Sequence, residues 1–156
     1  MKKRIIQFLT TYFLFVLLFV LQKPIFMAYY HDLYSNVSFG DYFKVMWHGL
    51  PLDFSLAGYL TVIPGLILIA SAWTASPVLR RIRQVYFGVV AFIMACIFII
   101  DLGLYDFWGF RLDATPIFYF FSSPKDALAS VSFWFILSGI LAILIYAALL
   151  YGIFYR

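Results

Sequence analysis

A chain of 156 residues that is 65% hydrophobic and 22% aromatic, with only 12% charged residues and a mean hydropathy of +0.98, is too apolar to be a soluble globular domain. At about 20 apolar residues per crossing it has room for four or five membrane spans, and a large extramembrane domain does not fit. The net charge of +4 is too thinly spread to point to a nucleic-acid partner, and the single cysteine, Cys96, excludes an intrachain disulfide or a Cys-rich metal site.

The first apolar run begins at Ile5, behind Met1-Lys2-Lys3-Arg4, and predicts a span over residues 5–27. It is too long for a signal-peptide core, and no small-x-small cleavage site follows, so an uncleaved span is expected. In "SFGDYFKVMWHG" Ser38 can cap a helix whose third residue is Asp41, and Gly49 before Pro51 can end it. This predicts a short interfacial helix over 39–48, with Phe39, Tyr42, Phe43, Met46 and Trp47 on its broad apolar side and Asp41, Lys44 and His48 toward the other.

The second span is expected over 51–73, with Pro64-Gly65 inside it. Asp53, three residues in, reads as a first-turn carboxylate favoured by the helix dipole rather than as a proton relay. The third span is expected over 84–107 and the fourth over 131–154. Between them "TPIFYFFSS" suits the headgroup belt, and in "SSPKDALASV" the order Ser123, Pro124, Asp126 predicts a second capped interfacial helix over 124–130. The expected fold is therefore all-α, a single polytopic membrane domain of four transmembrane helices with two short interfacial helices in the outer loops.

Lys2, Lys3, Arg4, Arg80, Arg81, Arg83 and Arg156 flank one set of span ends, whereas Lys23, Lys44, Arg111, Lys125 and all seven aspartates fall toward the other. By the positive-inside rule the N-terminus is cytoplasmic and loops 28–50 and 101–130 are extracytoplasmic. In a Cys96→Ala background, single cysteines at Ser35 and Ser122 are expected to react with an impermeant thiol reagent in intact cells, and one at Ser76 is not. Labelling at 76 with 35 and 122 silent would invert the topology.

"DLGLYDFWGFRLDAT", residues 101–115, concentrates Asp101, Asp106, Arg111 and Asp113 among aromatics. If the third span continues as helix, Asp101, Leu104, Tyr105 and Trp108 share one face, and Arg111 or Lys125 can pair with Asp101. One reading is a helix end snorkelling into headgroups with aromatic anchors. The other is the rim of a site for a lipid headgroup or a docking domain, built from Asp101, Tyr105, Trp108, Arg111, Asp113, Lys125 and Lys44. His31 and His48 read as solvated or interfacial residues rather than metal ligands. Ser138/Ala142 and Ala148/Gly152 are small-xxx-small pairs of the kind that allow close helix packing. There is no HExxH, phosphate loop, GxSxG or CxxC, and no glutamate at all, so these residues carry no recognisable catalytic centre and no metal site.

"HGLPLDFSLAGYL" at 48–60 and "DLGLYDFWGFRLDATPIFYFFSSPKDALASV" at 101–131 carry a resemblance that extends over essentially the whole chain. It resembles the N-terminal membrane region of bacterial lipoteichoic acid synthase-like proteins, which are sulfatase-superfamily phosphoglycerol and phosphoethanolamine transferases. The resemblance implies a five-helix membrane domain ahead of a large extracytoplasmic catalytic domain. Here four spans are found and the sequence stops at "YGIFYR", so span five and the active site are expected to be missing. The nucleophilic Thr and the divalent metal, Mn or Mg and possibly Zn, would belong to that domain, and no position here inherits them. The implied partners are a membrane phospholipid and that C-terminal extracytoplasmic domain, and the implied location is the bacterial cytoplasmic membrane. A self-contained assembly subunit of a membrane complex and a small oligomeric transporter are the other classes the residues leave open.

Overall fold

The computed structural model describes residues 2–33, 36–74, 76–123, 125 and 131–155. Among them the elements are all helical: α1 (Lys2–Tyr29), α2 (Phe39–Ala70), α3 (Pro77–Trp108), α4 (Thr115–Ser122) and α5 (Phe133–Tyr155). Four of these, α1, α2, α3 and α5, are long and apolar enough to cross a membrane. The chain divides into two compact units, Met1–Arg83 and Gln84–Arg156.

In the first unit α1 and α2 run antiparallel. The Arg4 guanidinium donates to the Ser71 carbonyl at 2.8 Å, which satisfies a carbonyl at the end of α2 that has no partner within the helix. The Phe8 ring lies against Gly65, where an added Cβ would sit 2.9 Å from it. Farther along, Tyr12 stacks on Phe54 with ring centroids 6.4 Å apart, and its hydroxyl donates to the Phe54 carbonyl at 3.3 Å. Phe15, Val16, Leu18, Phe26 and Met27 of α1 and Ala57, Thr61, Pro64 and Gly65 of α2 are buried. Small residues at those α2 positions let the backbones approach, the packing that substitutes for hydrophobic drive where the surroundings are themselves apolar.

The segment 39–48 is helical, but it is not a separate interfacial helix, because α2 continues through Gly49 and Pro51 to Ala70. The capping box is present: Asp41 accepts from the Ser38 N–H at 3.0 Å, and Ser38 Oγ accepts from the Gly40 N–H at 3.3 Å. The stop at Gly49 is absent, for a physical reason. Among the described residues only Gly109 has the positive φ of a glycine helix cap, whereas Gly49 stays helical and makes room for Lys23 of α1. The second interfacial helix, expected over 124–130, lies outside the described residues except for Lys125, which is exposed. Ser35 lies outside them too.

The second unit pairs most of α3 with α5 through aromatic rings. Phe87 stacks on Phe154 at 5.1 Å, Phe98 meets Tyr146 at 5.4 Å, and Phe107 meets Phe135 edge-on at 5.5 Å. Phe87, Val90, Ala91, Met94, Ala95, Phe98 and Asp101 recur every three or four residues and form the buried stripe of α3. The only buried residue of α5 is Leu150, and among the described residues a Cβ at Gly152 would meet nothing within 4 Å. The aromatic run "TPIFYFFS" forms α4, an element absent from the sequence reading. Asp113 starts it, accepting from the Thr115 N–H at 2.8 Å and from the Thr115 hydroxyl at 3.0 Å, with Pro116 in the first turn.

Candidate functional site

The carboxylate of Asp101 sits two turns before the end of α3 and is only 4% exposed. A bare carboxylate at that position would be costly, and the chain resolves the cost locally. Gly109, with φ of +70°, ends the helix and turns the chain back, its N–H donating to the Tyr105 carbonyl at 2.9 Å. Glycine occupies that conformation without the steric cost other residues meet. The returning strand of backbone places Arg111 and Leu112 over Asp101. Arg111 donates through Nε at 2.7 Å and Nη2 at 2.6 Å to Oδ2, and the Leu112 N–H donates to Oδ1 at 2.6 Å.

Both carboxylate oxygens are therefore engaged, and the loop is fastened to the helix by charge-assisted bonds. The Arg111 side chain remains 57% exposed, so the guanidinium is held in a fixed place and still reaches solvent. Trp108 packs edge-on against Phe110 at 5.7 Å and against Tyr119 of α4 at 6.2 Å, which ties α4 to the end of α3. Asp113 is exposed and occupied with the start of α4, and Tyr105 is half-buried on the Asp101 face. Of the residues expected at this site, Asp101, Tyr105, Trp108, Arg111 and Asp113 are thus gathered at the end of α3. The cation on Asp101 is Arg111. Lys125 is exposed, and Lys44 belongs to the first unit, where it pairs with Asp41 at 2.7 Å.

A second ionic site was missed by sequence reasoning. Lys23 of α1 donates to both oxygens of Asp53 of α2, at 2.6 and 2.5 Å, with side chains 19% and 7% exposed. Asp53 is not a first-turn carboxylate, because α2 begins at Phe39 and Asp53 lies about four turns in, far from the N–H groups of the helix end. The available signal was one cation and one anion of opposite sign inside consecutive apolar runs. The Lys23 stem crosses Gly49 so closely that an added Cβ would collide with its Cε and lie 2.8 Å from Nζ. Gly49→Leu is therefore expected to push the ammonium off Asp53 and to cost about 1–3 kcal/mol by overpacking alone, read as a lowered unfolding midpoint in detergent. A midpoint equal to that of the unsubstituted chain would show that Lys23 relocates freely.

Among the described residues no three or more His, Cys, Asp or Glu side chains come together as a metal site. Searches against family models, curated proteins and solved structures find no match to this chain.

Proposed function

We propose that this chain is the membrane anchor and lipid-facing domain of an extracytoplasmic phosphoglycerol or phosphoethanolamine transferase of the sulfatase/alkaline-phosphatase superfamily. The observation that carries the reading is the Asp101–Arg111 latch, supported by the resemblance in residues 48–60 and 101–131. A plain anchor needs only apolar helices. Here a turn is spent on holding one guanidinium at the end of a span, more than half in solvent, in a segment whose Trp108 and Tyr119 pack on each other, the arrangement expected of a group that meets a lipid phosphate at headgroup depth.

On this reading α1, α2, α3 and α5 cross the bacterial cytoplasmic membrane with the N-terminus inside. The 109–123 segment then lies at the outer surface, where Arg111 orients the phosphate of a phospholipid donor and the aromatics set its depth. The nucleophile and the divalent metal reside in a separate extracytoplasmic domain that docks on this surface. The test is a transfer assay in membranes from cells with and without the gene, using phosphatidylglycerol and phosphatidylethanolamine labelled in the headgroup. Gene-dependent release of diacylglycerol with label moving to a polymer or glycolipid is the expected result, and unchanged headgroup turnover overturns the reading.

A further inference from the structure

We propose that the first unit carries a binding groove for one membrane phospholipid, with the lipid phosphodiester on Lys44 and His48 and an acyl chain along Val20. This inference does not rest on the transferase reading. An open groove of about 410 Å³ is lined by Val20 of α1 and by Phe43, Lys44, Met46, Trp47, His48 and Leu50 of α2. Its walls are apolar, so water inside it finds few partners, while its two polar groups lie one turn apart on a single helix.

The length of α2 places this groove at headgroup depth. Its 32 residues span about 48 Å, against about 30 Å of hydrocarbon, which leaves about 18 Å, or roughly twelve residues, outside the apolar layer. The polar end is the first one, since Asp41, Lys44 and His48 all fall before Pro51 and the apolar run follows. The groove thus straddles the boundary, with cationic or N–H-donating groups at the phosphate level and Val20 and Leu50 toward the chains. Asp41 takes one of the three Lys44 protons at 2.7 Å and also accepts from the Ser38 N–H, so the phosphate approaches from the His48 side. An apolar cleft with phosphate donors at its mouth matches a phospholipid and matches neither a free anion nor a neutral glyceride.

The test uses Trp47 as the reporter. The full chain with Trp73, Trp108 and Trp134 replaced by Phe is reconstituted in phosphate-free digalactosyldiacylglycerol vesicles containing graded amounts of phosphatidylglycerol with brominated acyl chains. Brominated diacylglycerol serves as the phosphate-free arm. Trp47 quenching is expected to saturate at low mole fraction with the phospholipid and to rise only in proportion to bulk with the glyceride. Lys44→Gln with His48→Gln is expected to weaken the saturable component about fivefold, the scale of a partly exposed charge contact. Val20→Phe is expected to reduce it too, by filling the groove with both rim groups kept. Lys44 and His48 are exposed, so helix content by circular dichroism should stay constant across the set. Quenching that follows bulk bromolipid identically in every variant, or equal quenching by phospholipid and glyceride, overturns the proposal.

Discussion

Lys23→Met alone is expected to lower the unfolding free energy of the chain in detergent or bicelles by about 3–5 kcal/mol, and Asp53→Leu alone by a similar amount. Each leaves its partner as an uncompensated charge between two apolar helices, since the Asp53 side chain is 7% and the Lys23 side chain 19% exposed. The double substitution is expected to recover most of the loss, because a paired charge contributes little beyond what a packed apolar pair of similar volume supplies. A double-mutant cycle in an SDS titration, followed by circular dichroism, measures this directly. Single variants as stable as the parent would mean that water reaches the pair and that it contributes nothing. An additive double variant would mean that the two residues act separately. The same cycle bears on topology, since an unpaired charge in α1 or α2 also raises the cost of inserting that helix.

Those two charges mark the limit of what the sequence discloses. The four long helices are legible because about twenty apolar residues in a row have few other uses, but their bounds are not: α3 starts at Pro77 rather than 84, and α2 takes in 39–48, which reads in the sequence as a separate helix. The Ser38–Asp41 capping box is legible because its bonds span only two and three residues. Pairing Lys23 with Asp53 requires the register of α1 against α2 across thirty positions, which local patterning does not encode. Gly49 misleads for the same reason. A glycine before a proline has the composition of a helix stop, and only the neighbouring helix reveals that the missing Cβ accommodates the Lys23 stem. The short helix α4 is hidden by its aromatic composition, which favours strands or interfaces over helices when no partner is known. Asp101 was within reach because the helical face, the turn residue Gly109 and the returning Arg111 all fall within eleven residues.

Arg111→Ala is expected to affect the segment after α3 twice over. Asp101 would keep only the Leu112 N–H, so a nearly buried carboxylate loses its counter-charge, at a cost near the lower end of the 1.5–3 kcal/mol typical of charged hydrogen bonds, because Arg111 is more than half exposed. That loss should register as faster proteolysis after Phe110 or Leu112 and as altered Trp108 fluorescence, with the four long helices retained. If the transferase reading proposed above holds, the same substitution removes the phosphate contact as well, and headgroup transfer is expected to fall about tenfold to a hundredfold. Asp101→Asn separates the two effects. Its side-chain carbonyl still accepts from Leu112, so the loop stays folded while Arg111 loses the charge that fixes it, and transfer should fall more than protease resistance does. Arg111→Lys keeps the charge but presents one ammonium where Nε and Nη2 together grip Oδ2, so it should restore only part of both readouts. Transfer rates at the parental level in all three variants, with the loop still protected, would leave the 101–115 stretch as an interfacial edge and nothing more.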